Sequence, residues 1–462
     1  MKYEKSCGAA VYRFRNGNLY FLVEHMIQGH TSIPKGHVEG DETEEETAVR
    51  EIREETGLEV RLDTGFRHEI SYSPFEGIEK KVVFFAAEPA GGEMKNQECE
   101  VSGLEWLPCE EAIQAVTYDT DKEVLAHAAA YLAEKGTKGT APAVPREIWR
   151  EGILGVVVGD ALGCPVQFEE REEVAKHPVT GMRGYGTFGL PAGSWTDDSS
   201  LTLALLDSIV RTGKPDLKDI MDNFAEWLDH GAFTPYGYAY DIGGGTMKAI
   251  EAYKRGGNPL LCGGRDEWNN GNGSLMRIMP ACLYCYKKGM PDDEAVRTVR
   301  AVGSLTHAHI RSNIACSLYY FMVKEILDGE GGLADRLQKG LDRGFAVLEK
   351  EGADPENLAC YGRLRDLEAF AGTPAEKIRS SGYVVDTLEA VVWSLLTTGS
   401  FEEAVLKAVN LGLDTDTTGA ITGGLAALYY GMDAIPEDWI KEIKRIDWIG
   451  ELCDKAERIS LE

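Results

Sequence analysis

An α/β/α sandwich followed by an all-α domain is the architecture the sequence predicts, and three observations predict it. The chain has 462 residues, more than one hydrophobic core usually supports. Short β-rich segments crowd its first third around one dense acidic helix, while long helical patterns with glycine-rich joints fill the rest. Between the two textures lies Gly136–Pro145, GTKGTAPAVP, which is small, polar and twice broken by proline, the composition of a linker. The expected division is therefore 1–135, a linker at 136–146, and 147–462.

In chain order, Ser6–Glu24 reads as two strands, CGAAVYRF and LYFLVEH, joined by the turn Arg15-Asn16-Gly17-Asn18. Next comes GHVEGDETEEETAVREIREETGL, Gly36–Leu58. Asp41 is placed to cap a helix with Glu44 completing a capping box, and Gly57, which accepts a left-handed backbone, ends it. Ala48, Val49 and Ile52 make a narrow apolar stripe for a sheet. Glu51, Glu54 and Glu55 are spaced so that their carboxylates share one face. Such like charges repel by roughly a few tenths of a kcal/mol per pair. A hard divalent cation with oxygen ligands reverses that penalty, although a solvated acidic face has the same composition. Further strands are expected around Ile70–Tyr72, Val82–Ala87 and Leu104–Leu107, with a closing helix from about Asp121 to Glu134.

Composition narrows the function. Hydrophobic residues at 43% and charged residues at 27% describe a globular protein. A net charge of −28 repels phosphate backbones and argues against broad nucleic-acid binding. A small anionic substrate still fits where cations supply local positive charge. The ten cysteines form no framework, and the one CxxC, Cys282 and Cys285, reads as buried thiols. The first residues lack an apolar targeting core and no run of 18 apolar residues occurs, so a cytoplasmic protein without membrane contact is expected.

The second domain carries two echoing glycine rows, Gly155, Gly159, Gly163 and Gly419, Gly423, Ala427, Gly431. Glycine costs a helix about 1 kcal/mol per position, so two such rows predict a pair of helices in close backbone approach. Beside them stand Thr196-Asp197-Asp198 and Asp414-Thr415-Asp416-Thr417-Thr418, dense oxygen-donor clusters at helix starts. Either alone suits a helix N-terminus; two of them suggest a shared binuclear cation site.

The Gly36–Leu58 stretch resembles the Nudix box at every defined position. The resemblance implies Mg²⁺- or Mn²⁺-dependent cleavage of a nucleoside diphosphate linked to a further group. Glu51, Glu54 and Glu55 would be both catalytic and the ligands of one or more ions, with Arg50 orienting them. KSCGAAVYR, the run Pro34-Lys35-Gly36-His37-Val38-Glu39 and LEWLPCEEA are similar to the asymmetrical diadenosine tetraphosphate hydrolase branch. That likeness implies Glu100 as a further metal ligand, Tyr72 and Tyr118 as adenine-stacking faces, and Lys35, Lys80 and Lys81 as phosphate contacts. Half-buried sheet tyrosines and edge-strand lysines would look the same in sequence.

GDALGCPVQFE, SWTDDSSLTLAL, YDIGGGT, GNGSLMR and LDTDTTGAITGGLAALYYG together resemble the ADP-ribosylglycohydrolase family, in its order, across nearly all of 147–462. The likeness implies an all-helical fold with two Mg²⁺ or Mn²⁺ ions held by Thr196, Asp197, Asp198, Asp414, Asp416 and Thr417. It implies hydrolysis of a glycosidic bond through an oxocarbenium-like state, with Asp198 and Asp241 catalytic and Asn272, Gly273 and Ser274 contacting the ADP portion. Gln167 departs from the pattern, which places an acid there. His307 and His309 read as core or helix-cap histidines.

The expectation is a bifunctional hydrolase acting on small nucleotides, with ADP-ribosylated protein a further partner. The alternative is a Nudix pyrophosphatase regulated by a non-catalytic ADP-ribose-binding domain; a third is a Nudix enzyme on an oligomerisation platform.

Overall fold

The computed structural model describes residues 2–15, 18–72, 78–92, 94–95, 101–138 and 146–459. Glu100, Asn16, Gly17 and residues 139–145 of the expected linker lie outside the described residues. The chain divides into two compact units, Met1–Pro145 and Arg146–Glu462.

The first unit is built on a seven-stranded sheet. Its strands are β1 (Lys2–Arg15), β2 (Asn18–Met26), β3 (Thr31–Ser32), β4 (Lys35–His37), β5 (Leu58–Tyr72), β6 (Ile78–Gly92) and β7 (Val101–Pro108). The order is β3-β2-β1-β6-β5, with β4 added to β1 and β7 to β2. β1 and β6 run parallel, and the other pairs are antiparallel. Among the described residues three helices cover it: α1 (Glu44–Thr56), α2 (Cys109–Ala115) and α3 (Asp119–Lys138).

Because side chains alternate along a strand, β1 serves two cores at once. Cys7, Ala9 and Val11 meet Ala48 and Ile52 of α1. Ala10 and Tyr12 belong to the opposite core with Val124, Leu125 and Ala128 of α3. Helices thus lie on both faces of the sheet.

Two local expectations need correction. The cap of α1 is Thr43, not Asp41, and its capping box closes on Glu46. A Thr43 hydroxyl reaches the Glu46 amide at 3.1 Å while the Glu46 carboxylate takes the Thr43 amide at 2.9 Å. That reciprocal pair outcompetes an aspartate two residues earlier. Val49 is 37% exposed, so the buried stripe is Ala48 and Ile52. Gly57 ends the helix at φ 73°, in the left-handed region.

The second unit is mostly helical. Its centre is the packing of α4 (Ile148–Gly163) on the Thr415–Tyr430 helix. A Cβ on Gly159 would stand 2.1 Å from the Gly419 carbonyl oxygen, and one on Gly155 2.3 Å from that of Gly423. The glycine rows therefore exist so that two backbones touch. Gly431 does not belong to this contact; it is the cap of the second helix, at φ 85° with open space around it. Cys282 and Cys285 are buried free thiols. His309 caps the Ile310–Asp328 helix through the Arg311 amide. Among the described residues no helix is long and apolar enough to cross a membrane.

Candidate active sites

In the first unit, α1 presents Glu51, Glu54 and Glu55 to a cavity of about 1150 Å³. Lys35 and Gly36 of β4, Ile70 and Tyr72 of β5, Lys80 of β6 and Tyr118–Asp121 at the start of α3 also line it. Gly36 allows α1 this close: a Cβ there would lie 2.0 Å from the Glu51 carboxyl carbon. Arg50 organises the acids. Its guanidinium donates a fork to Glu42 at 2.7 and 2.9 Å, and donates to Glu51 at 2.8 Å and Glu54 at 3.2 Å. The same group holds the His37 carbonyl at 2.9 Å, fixing β4 to the helix.

Glu55 is buried and accepts the Lys35 amide at 2.9 Å. Burial, reinforced by the neighbouring Glu24, pushes its carboxyl up to about 9. Burial also raises Glu51, against the pull of Arg50. A hard divalent cation among these oxygens would offset that burial and repulsion and favour their ionised form.

The second unit assembles its acids from distant segments. Asp197 and Asp198 open the Asp197–Thr212 helix, with Thr196 as its cap. Asp416 and Thr417 lie in the first turn of the Thr415–Tyr430 helix, capped by Asp414. The Thr196 and Thr417 hydroxyls both approach one oxygen of Asp198, at 3.3 Å, and so tie the two helix starts together. Asp160 of α4 fixes the first of them. It accepts the Thr196 and Ser199 amides at 3.0 Å and the Ser199 hydroxyl at 2.6 Å. Asp414 accepts the side-chain amide of Asn272 at 2.6 Å.

Asp197, Asp198, Asp241, Asp414 and Thr417 line a cavity of about 460 Å³, together with Gln167, Phe168, Asn272, Gly273, His307 and Trp268. Burial, and then the charges of the other aspartates, hold Asp197, Asp198 and Asp416 well above the usual carboxylate range. One oxygen each of Asp198 and Asp416 is buried without a hydrogen-bond partner. Such groups are costly unless something positive meets them, and the donor set, all carboxylate and hydroxyl oxygen, fits hard cations. Two lining residues other than glycine have positive φ, Phe168 at 67° and Asp241 at 53°, and so does Leu413 at 61°, next to the lining residue Asp414. Backbone strain of this kind clusters where function holds it. Here Phe168 donates to the Leu413 carbonyl and Leu413 to that of Glu169, both at 2.7 Å.

Two expected contacts do not reach these cavities. Lys81 faces away from Lys80, as neighbours on a strand must, and pairs with Glu69 at 2.7 Å. Ser274 is fully buried, with its hydroxyl against the Cys316 thiol. Tyr118 and Tyr72 do line the first cavity, and Asn272 and Gly273 the second. His307 also lines the second cavity, its ring nitrogen 2.9 Å from the Thr306 hydroxyl. Sequence reasoning missed Asp160 and Glu24. The first had a signal, an aspartate inside the glycine row of α4; the second, a glutamate in an apolar strand, had only its incongruity.

The ADP-ribosylglycohydrolase family model matches residues 141–461, and the NUDIX domain model matches residues 3–128. The ADP-ribosylarginine hydrolase Tri1 of Pseudomonas putida (strain GB-1) is 32% identical over 319 residues, spanning 66% of this chain and 78% of that protein. The asymmetrical bis(5'-nucleosyl)-tetraphosphatase of Mus musculus is 33% identical over 138 residues, 26% of this chain and 90% of that protein. A solved ADP-ribosylglycohydrolase-related protein complex shares 31% identity at a TM-score of 0.55, covering 68% of this chain and 98% of that one.

Proposed function

The chain belongs to the ADP-ribosylglycohydrolase family and carries a Nudix domain ahead of it, both of them hydrolase families, and from that premise we propose a bifunctional metal-dependent hydrolase. The second unit releases ADP-ribose from an acceptor by hydrolysing the glycosidic bond, and the first cuts a pyrophosphate. One observation carries the reading: aspartates from two helix starts converge beside a cavity, with two buried oxygens left unpartnered.

Thr196, Asp197, Asp198, Asp414, Asp416 and Thr417 would hold two Mg²⁺ or Mn²⁺ ions. When bound, such ions neutralise charge and make water a better nucleophile. The chain's own residues do the positioning. Asn272 orients Asp414, and Asp160 fixes the Thr196–Ser199 turn. Asp241 and Asp198 supply the carboxylates that stabilise positive charge developing at the anomeric carbon. Phe168 and Trp268, 64% and 93% exposed, offer apolar faces for a base or an acceptor. Arginine is the first acceptor to try, since the Pseudomonas relative is named an ADP-ribosylarginine hydrolase. Release of ADP-ribose from ADP-ribosylarginine, abolished by Asp414→Ala, is the expected result.

In the first unit Glu51, Glu54 and Glu55, with Glu100, would hold the cations. Lys35 and Lys80 face polyphosphate oxygens, and Tyr72 and Tyr118 stack a base. If ADP-ribose enters this cavity the two units act in series, and the products are AMP and ribose 5-phosphate. Diadenosine tetraphosphate, giving ATP and AMP, is the competing substrate, favoured by the tetraphosphatase relative. Chromatography of the products from each substrate decides between them; no AMP from ADP-ribose removes the serial scheme.

Gln167 favours a second reading of the C-terminal domain, as a binder of ADP-ribose that controls the Nudix unit. It is buried and hydrogen-bonds Asp241, and its amide cannot act as the base that a carboxylate there would be. Tight ADP-ribose binding with no release from any ADP-ribosylated substrate is the result that selects it.

A further inference from the structure

Away from the two acid clusters, β5 and α3 bring together a different donor set. Glu123 and His127 stand one turn apart on α3, and His68 meets them from β5. One ligand atom from each lies within 4.8 Å of the other two. The imidazole rings stack at 4.7 Å, and the Nε2 of His68 is 3.7 Å from a Glu123 carboxylate oxygen. That nitrogen is buried and has no hydrogen-bond partner. Phe66 backs the His68 ring from the same strand, nearly parallel at 10°.

We propose that His68, Glu123 and His127 form a site for a Zn²⁺-class divalent ion. Two imidazoles and one carboxylate are a borderline donor set, which selects Zn²⁺, Co²⁺, Ni²⁺ or Cu²⁺ over the hard cations that all-oxygen sites prefer. Ligand atoms around such an ion sit about 3.3 Å apart. Closing the observed spread to that value asks only for rotamer adjustment, mainly of Glu123 and His127, which are both exposed. The remaining position falls to water.

The placement gives the ion a structural consequence. His68 shares its side of β5 with Ile70 and Tyr72, which line the first cavity. α3 contributes Asp119, Thr120 and Asp121 to another wall of the same cavity. An ion bridging β5 and α3 holds these two walls together, so it stabilises the unit on binding.

The test uses the full chain, stripped by chelator and re-equilibrated with Zn²⁺ under excess Mg²⁺ to occupy the oxygen sites. Wild type is expected to retain one more Zn²⁺ per chain than His127→Ala, and Co²⁺ is expected to show ligand-field absorption typical of nitrogen donors, lost in that variant. His68→Ala is expected to behave alike, with circular dichroism confirming that both variants fold. Equal Zn²⁺ retention in wild type and His127→Ala, or a Co²⁺ spectrum of oxygen ligation only, overturns the site. Neither outcome depends on whether either cavity is catalytic.

Discussion

In the first unit three glutamates come from a single helix and share their charge with Arg50, whereas in the second the aspartates arrive from two helices more than two hundred residues apart and face chiefly one another. The first arrangement is local. Helical spacing sets it, and a guanidinium with four hydrogen bonds to carboxylates holds it together. The second is tertiary, and what counters its mutual repulsion is neutral hydroxyl and amide donors, such as Thr196 and Thr417 on Asp198, the Thr417 amide on Asp416 and Asn272 on Asp414. On the proposed function, an acid cluster with a built-in cation would keep its form without metal, whereas one without it would depend on bound ions for both chemistry and stability.

The largest expected effect follows from that dependence. Asp416→Asn removes a carboxylate proposed to hold a cation from a fully buried position and is expected to lower ADP-ribose release roughly a thousandfold, the upper range for loss of one electrostatic group in a site. In chelator the same variant is expected to unfold at a higher temperature than wild type, because one buried negative charge is gone. Glu54→Gln in the first unit is expected to cost its own activity roughly a hundredfold, with no gain in metal-free stability, since Glu54 is about half exposed. Equal stability shifts in the two variants, read by calorimetry, would break the contrast.

Acidity sharpens it next. Asp197, Asp198 and Asp416 are held above their ordinary value by burial and by each other. The folded state therefore binds more protons than the unfolded chain above about pH 4, so metal-free stability falls as pH rises from there. Glu55, pushed up to about 9, adds the same sign to the first unit between about 4.5 and 9. Saturating Mg²⁺ is expected to flatten or invert that slope for the second unit. A melting temperature in chelator that climbs from pH 5 to pH 8 would contradict the burial of ionised aspartates.

The same local-against-tertiary division explains what could be read from the sequence. The helix carrying Glu51, Glu54 and Glu55 was legible because the pattern that marks it lies in consecutive residues. The partnership of Gly155 and Gly159 with Gly423 and Gly419 was legible because each row repeats every fourth residue. Most of β5 was not. Its segment LEVRLDTGFRHE alternates charges whose exposed side carries pairs such as Arg67 with Glu44, and only the fold shows that the other side packs. The Asp41 cap failed because Thr43 and Glu46 offered a reciprocal pair. Asp160 went unassigned because its hydrogen-bond partners, Thr196 and Ser199, are brought to it by the fold.

Smaller effects test the scaffold under the tertiary site. Gly159→Ala places a methyl group 2.1 Å from the Gly419 carbonyl oxygen, in a contact with no flexible side chain to yield. Overpacking of this kind costs about 1–3 kcal/mol, and denaturant unfolding is expected to show the loss in the second unit. Gly256→Ala, where nothing lies within 4 Å but φ is 92°, separates steric from conformational cost.

The smallest contrast lies within the local site, between adjacent lysines. Lys80 is turned into the first cavity, where burial and then the charge of Lys35 lower its proton affinity. Two ammonium groups brought together at a cavity wall are each relieved by an anionic ligand, so Lys80→Ala is expected to raise KM for a polyphosphate roughly tenfold, about what one charge-assisted hydrogen bond contributes. Lys81, one residue on, points to the other face and pairs with Glu69 on an exposed surface. Such pairs contribute about 0–1 kcal/mol, and none of that acts on substrate, so Lys81→Ala is expected to leave KM and kcat within about twofold. Steady-state kinetics on the two variants reads the direction of each side chain: equal KM shifts would mean that the phosphate chain runs along the outside of the strand rather than through the cavity beside α1.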